Sequence, residues 1–381
     1  MRVLGLMSGT SADGVDAVLV ELRGPCLHPR WRLIASVEHP YPQALRQRLI
    51  GVGQGEALTT AALLDLSEAV TEQQALAAQA CDPGGQARLV GCHGQTVWHR
   101  PAAAGRRGAS LQLLQGPLLA ALLRRPVVFD FRAADLALGG QGAPLVPPAD
   151  AALLGRGPGW RGVLNLGGIA NITLIPPATG PQRQAPLRGW DCGPANSLID
   201  LAVQQLSGGR LSHDAGGAWA AQGRVDEELI ARWLQEPYLQ QRPPKSTGRE
   251  QFGAADLERR LMELAGRSPA DCLATLTAFS AACVAQDLLP RPLELLVAGG
   301  GARNTTLMGE LRRRCRGTRV RPLADLGIGS QQREALAFAL LAWWHHRRCC
   351  SNAPSVTGAA APTVLGVCAW PAVRSTWALQ P

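Results

Sequence analysis

The residues able to do chemistry in this chain gather around glycines. Residues 5–16 read GLMSGTSADGVD. Gly9 and Gly14 would let backbone N–H groups approach phosphate oxygens closely. Thr10 and Ser11 add hydroxyl donors. Asp13 and Asp16 could hold Mg2+ directly or through water. The stretch has no lysine after its glycines, so it is not the GxxxxGK[ST] phosphate loop, nor does it spell GxGxxG. A plain polar hairpin turn would share the glycines but has no need of two carboxylates, a threonine and a serine.

Four further stretches carry reactive or binding types. NLGGIANIT (165–173) pairs Gly167 with Gly168 between Asn165 and Asn171, although a hairpin bulge would look the same. AGGGARN (298–304) leads from an apolar strand through Gly299, Gly300 and Gly301 to Asn304. That pattern suits a nucleotide base or ribose lying against backbone, or else a tight strand–helix connection. In GWDCGPAN (189–196), Asp191 follows a strand and precedes Gly-Pro. It either faces a cleft or caps the next helix. CHGQTVWH (92–99) sets His93, Gln95 and Thr96 together, as sugar-hydroxyl ligands or as a satisfied polar core. Finally, one residue stands out by rarity: of 38 lysines and arginines only Lys245 is lysine, in KSTGRE (245–250).

These residues need strands and helices to place them. The opening reads as a β-hairpin around GTSADG, residues 56–80 as helix, and 87–99 as a buried strand entering a polar loop. Residues 132–147 read as a Gly-rich hinge or site wall. Strand, glycine turn and strand recur at 162–175, and a strand end and helix follow at 187–206. Residues 207–255 read as loop-rich, 268–289 as a helix opened by SPAD without the usual glutamate, and SQQREALAFALLAWWHHR as an amphipathic helix. Two related α/β halves are therefore expected. The first, 1–133, carries the first phosphate loop; the second, 134–381, carries the second phosphate loop and the adenosine loop. The C-terminal PSVTGA segment is expected to pack back on the first.

At 381 residues, 46% hydrophobic, the chain can bury substantial cores. Its net charge is +9, but the arginines are scattered and no nucleic-acid reader motif accompanies them. The ten cysteines show no CxxC pair or zinc spacing, which fits free thiols in a reducing cytoplasm. No apolar run suggests a membrane span.

Three glycine loops divided between two α/β halves resemble the actin-like superfold of sugar kinases and chaperone ATPases, with ribonuclease H-like halves and a cleft between them. The strings go further. GLMSGTSADGVD, HGQTVWH, GGQGAPLVP, NLGGIANIT, GPANSLID, KSTGRE, GGGARN and PSVTGA, in order from residue 5 to 359, closely resemble the anhydro-N-acetylmuramic acid kinase family. The resemblance implies an ATP- and Mg2+-dependent enzyme of peptidoglycan recycling. Such an enzyme opens the 1,6-anhydro bond of anhydro-N-acetylmuramic acid with water and phosphorylates O6. It implies Asp191 as the base, the first two glycine turns on the phosphates, and Gly299–Gly301 with Asn304 on the nucleoside. His93, Gln95, Arg132, Asp135 and Glu334 are expected around the sugar, with Arg132 gripping its lactyl carboxylate. A cytoplasmic homodimer is implied, with no nucleic-acid or membrane partner. Departures from the family pattern are Ala12, Cys192 and Gln251, none of which removes a reactive group. The competing readings are a kinase for another sugar and an ATP-driven assembly protein.

Overall fold

Apolar residues alternate along the first strands and close a hairpin. β1 (Arg2–Ser8) runs antiparallel to β2 (Gly14–Arg23), with Leu4 opposite Leu19. β3 (Arg30–Pro40) extends the hairpin. Its charged and polar residues mask it in the sequence, because it is a half-exposed strand rather than a core one. β4 (Leu89–Arg100) runs parallel to β1 and carries β5 (Ala109–Leu113) antiparallel, while β6 (Val127–Phe129) is parallel to β4. The computed structural model describes residues 1–103, 105–243 and 245–372.

The second series repeats the first. β7 (Arg161–Leu166) and β8 (Ile169–Ile175) form a hairpin, and β9 (Arg188–Pro194) joins it antiparallel. β10 (Glu294–Ala298) runs parallel to β7, and β11 (Arg319–Pro322) parallel to β10. Both sheets thus have the order third, second, first, fourth, last: β3-β2-β1-β4-β6 and β9-β8-β7-β10-β11. Three antiparallel strands followed by two parallel ones is the ribonuclease H-like arrangement. Its duplication in one chain is the actin-like architecture.

The chain forms two compact units, Met1–Gly155 with the chain from Gln331 onward, and Arg156–Ser330. This differs from the single boundary at 133 read from the sequence. Residues 134–155 belong with the first unit because Asp135 accepts bonds from Asn352 and Thr357, and Asp150 pairs with Arg333. The expected loop 132–147 also contains the short helix Ala133–Ala137 and the start of the helix Val146–Leu154.

In the first unit the helix Thr60–Cys81 packs on β2, β3 and β4, and the helix Gln332–His346 packs on β1, β2 and β4. Gly5 and Gly91 make the second packing possible, since a Cβ on either would collide with the backbone of Ala335 or Phe338. That helix, read as amphipathic, is buried continuously from Ala335 to Trp344. The short strand Val367–Ala369 then pairs antiparallel with β6. Cys26 and Cys349 form a disulfide, which corrects the expectation of free thiols throughout. The β2–β3 turn lies against the end of the helix, where Trp344 Nε1 donates to Cys26 O at 2.8 Å and Arg347 Nη1 to Gly24 O at 2.7 Å.

In the second unit the helix Pro269–Asp287 is buried along most of its length, and the helix Asn196–Leu206 packs against it. Ser268 caps it, and Asp271 closes the capping box in place of glutamate. The stretch expected to be loop, 207–255, contains the short helices Glu227–Trp233 and Pro237–Gln240. No helix among the described residues is long and apolar enough to cross a membrane.

Candidate functional site

The first glycine turn is held from beneath by a polar net. Ser8 Oγ lies 2.6 Å from Gly14 O, 2.7 Å from Gln95 Oε1 and 2.9 Å from Tyr41 OH. Gly9 O accepts from Ala12 N at 3.1 Å and from Gln95 Nε2 at 3.0 Å. Because the peptide is planar and trans, fixing the Gly9 carbonyl inward turns the Thr10 N–H the opposite way. Ala12, one of the departures from the family pattern, is buried with φ +51°. Thr10, Ser11 and Asp13 are exposed, and Gly14 packs against His39 and Pro40 of β3. Gln95 was expected beside the sugar. Its amide braces this turn.

The first unit brings a second set together. His93 is buried, with Nδ1 2.9 Å from Gly94 O and Nε2 2.8 Å from Arg132 Nη2. Arginine can only donate, so Nε2 accepts and the Nδ1–H donates to Gly94. Burial and then the Arg132 charge push the imidazole down to about 3, so His93 is neutral. Arg132 also donates from Nη1 to Gly142 O at 2.7 Å, while its buried Nε has no partner. Each terminal nitrogen carries a second N–H and Nε keeps its own, so these two bonds leave Arg132 donors for the carboxylate grip expected of it. Glu334, in the first turn of its helix, acts electrostatically on both Arg132 and Asp16. Burial, followed by Glu38, Glu334 and Asp13, raises Asp16 to about 7. Asp16 and Glu38 line a cavity of about 190 Å³ with Ser36, Gln331 and Gln332. Asp135, also expected at the sugar, is fully buried. It accepts from Gly142 N at 2.9 Å, Asn352 Nδ2 at 2.9 Å and Thr357 Oγ1 at 2.7 Å. Its oxygens fasten the PSVTGA segment to the first unit.

In the second unit the two glycine loops lie side by side. Asn196 Nδ2 donates to Leu166 O and Gly167 O, both at 2.8 Å. Asn196 N bonds Gly167 O, and Ala195 N and Ser197 N bond Gly168 O. With those carbonyls turned toward the helix start, the N–H groups of Gly167 and Gly168 face away from it. Gly299 has φ +83°, and a Cβ there would stand 2.6 Å from Leu166 O and 2.7 Å from Asn165 Oδ1. A side chain at Gly301 would meet Leu166, whereas Gly300 is open. Asn304, expected to hold the nucleoside, caps the helix Thr305–Arg314, with Oδ1 accepting from Leu307 N at 2.9 Å.

Asp191 sits on β9 opposite Asn171 of β8. Ser246 Oγ and Thr247 N donate to its Oδ2 at 2.8 and 3.1 Å. Its own N donates to Lys245 O at 3.1 Å, and its O accepts from Tyr238 OH at 2.7 Å. Burial raises its pKa against the opposing bonds from Thr247 and Ser246, and Glu250 adds to the rise. A carboxylate tuned upward in this way is suited to accept a proton. Ser246, Thr247, Tyr238 and Asn196 were missed from the sequence. The only signal toward the first two was the isolated Lys245 beside them. Of the departures, Cys192 is a buried core thiol, and Gln251 Oε1 accepts from Thr247 Oγ1 at 2.9 Å.

Among the described residues no three His, Cys, Asp or Glu side chains form a metal cluster. Mg2+ does not need one, since it commonly rests on one or two carboxylates, water and substrate phosphates. Asp13 fits that donor set. Its side chain is 67% exposed, and Oδ1 meets Arg46 Nη2 at 2.7 Å.

Comparison with known proteins extends this geometry. The family model described as anhydro-N-acetylmuramic acid kinase matches residues 1–371. A Synechococcus sp. (strain CC9311) protein named anhydro-N-acetylmuramic acid kinase is 65% identical over 379 residues, covering 96% of this chain and 99% of its own. One of the same name from Prochlorococcus marinus (strain MIT 9303) is 64% identical, covering 98% of this chain and all of its own. Among solved structures, the ADPNP-bound activator of 2-hydroxyisocaproyl-CoA dehydratase from Clostridium difficile aligns with TM-score 0.41 and 11% identity. It covers 91% of this chain and 96% of its own.

Proposed function

The chain belongs to the anhydro-N-acetylmuramic acid kinase family, and from that premise we propose that it converts 1,6-anhydro-N-acetylmuramic acid, ATP and water into N-acetylmuramic acid 6-phosphate and ADP. The observation that carries the reading is Asp191, a carboxylate raised by burial and aimed by Ser246 and Thr247.

Ordinary glycosidases use two carboxylates, one of them to protonate the leaving oxygen. Here O6 leaves C1 by taking up the γ-phosphoryl group, so a single base suffices. Asp191 accepts a proton from the water that attacks C1 opposite O6, and the configuration at C1 inverts. Water supplies the new oxygen on C1. The O6–P bond replaces the C1–O6 bond, ADP departs, and the proton on Asp191 passes to solvent. Outward N–H groups of Thr10, and of Gly167 and Gly168, suit phosphate oxygens. The open backbone at Gly300 suits the nucleoside. Asp13 would hold Mg2+, which supplies charge neutralisation on the phosphates when bound. Neutral His93 and the Arg132 it bonds support the sugar side of the first unit, with Glu334 beside them.

Purified protein with MgATP should release ADP only when the anhydro sugar is present, with one phosphorylated sugar per ADP. Phosphorylation of an ordinary hexose instead would favour a simple sugar kinase. ADP release without any sugar would favour an ATP-driven assembly protein.

A further inference from the structure

The side chain of Lys245 is 1% exposed, in a chain whose other basic residues are arginine. Its Nζ lies 2.9 Å from Asp287 Oδ2, 3.1 Å from Asp287 Oδ1, 3.5 Å from Tyr238 O and 4.9 Å from the Tyr238 ring centre. An ammonium group has three donors on one compact head, and this pocket meets them from several sides. Asp287 ends the long buried helix Pro269–Asp287, so the pair ties residue 245 to a fixed post. The main chain of Lys245 points the other way, with its carbonyl accepting from Asp191 N at 3.1 Å. On the next two residues, Ser246 Oγ and the Thr247 backbone N–H donate to Asp191 Oδ2. One four-carbon stem thus joins a rigid helix to the segment that aims the carboxylate.

We propose that Lys245 is a positioning residue for Asp191: its buried pair with Asp287 anchors residues 245–247 and so fixes the direction and hydrogen bonding of the Asp191 carboxylate. The catalytic meaning of the anchor rests on the reading of Asp191 as the base. The geometry also accounts for the survival of a lysine here. A planar, forked guanidinium is larger than an ammonium and would push the segment off its post.

The anchor has a readable signature. Ser246 and Thr247 stabilise the charged form of Asp191, so a displaced segment raises the Asp191 pKa further. The other titratable groups around Asp191 are Glu250 on the same loop, Tyr238, its neighbour Cys192, and beyond them Cys283 and Asp287. Burial pushes Tyr238, Cys192 and Cys283 upward, which leaves them protonated and neutral.

The test is a 13C NMR titration of the aspartate carboxyls in the full chain, with the Asp191 resonance identified by its loss in Asp191→Asn. Lys245→Arg and Ser246→Ala are each expected to raise the Asp191 pKa. Added to Lys245→Arg, Ser246→Ala should change it little more, because the bond it removes is already gone. In turnover, Lys245→Arg should move the acid limb of the kcat/KM profile to higher pH. It should also lower kcat by up to about 100-fold, as expected for a misplaced catalytic group, with KM for the sugar changed less. A folded Lys245→Arg protein with an unshifted Asp191 pKa and a fully additive Ser246→Ala effect would overturn the proposal. Should Lys245→Arg fail to fold, Asp287→Asn removes the same anchor and is read in the same way. Absence of turnover in the wild type would count against the reaction, while the NMR comparison would still decide whether Lys245 positions Asp191.

Discussion

Asp135 and Asp191 are both hydrogen-bonded carboxylates, one fully buried in the first unit and one half-buried in the second, and their surroundings differ in kind. Asp135 is saturated. A backbone N–H, an amide and a hydroxyl fill its two oxygens, and two of those donors come from more than 200 residues away. Among the described residues Asp191 has both side-chain bonds on Oδ2, from two neighbours on one loop. A carboxylate bonded on both oxygens by the fold cannot take a proton without breaking structure. One held from a single side keeps its direction and can still react. Burial alone does not mark a catalytic base; the distribution of donors over its oxygens does.

The comparison breaks most sharply at Asp191. Asp191→Asn should lower kcat by about 10²- to 10⁴-fold, with thermal unfolding near that of the wild type. Asp135→Ala should do the reverse. Unfolding in urea should show a loss of about 3 kcal/mol from stranded buried donors, with kcat per folded molecule changed less than about tenfold. An Asp135→Ala enzyme that is stable but inactive would return Asp135 to the chemistry.

Smaller effects sharpen the contrast through pH. The base must be ionised to work, so kcat/KM should fall as pH drops through the raised pKa of Asp191, above the usual carboxylate range. Glu250→Gln removes a like charge that raises that pKa, so the acid limb should move to lower pH. Asp16 reads out as stability. Its pKa rises from 3.8 unfolded to about 7 folded, so the folded state favours the protonated acid. That advantage is complete below the unfolded value and is lost as pH rises through the folded one. Asp16→Asn should therefore raise Tm at pH 8 and change it little at pH 4.

Much of this was legible in the sequence because the relevant signals are local. Glycine turns flanked by apolar strands revealed both hairpins, the strand–glycine–helix unit and the duplicated α/β architecture. Asp191 stood out in the sequence as a carboxylate just ahead of Gly-Pro, although the structure sets it in the middle of β9 and not at a strand end. What stayed hidden depends on distant partners. Nothing near Asp135 announces Asn352 or Thr357, and nothing near Lys245 announces Asp287, 42 residues on. The structural bonds of Gln95 and Asn304 stayed hidden for a related reason. An amide that braces a turn or caps a helix looks, in sequence, like an amide that binds a ligand. The return of the last long helix to the first sheet is likewise something local periodicity cannot show.

The central claim is that Asp191 directs water to the anomeric carbon while O6 is phosphorylated. The direct measurement is turnover of the anhydro sugar with MgATP in 18O-water, read by mass spectrometry beside Asp191→Asn. The account predicts a 6-phosphorylated sugar carrying one 18O at C1, and no such product from the folded variant. A product without 18O at C1, or normal labelling by Asp191→Asn, would contradict it.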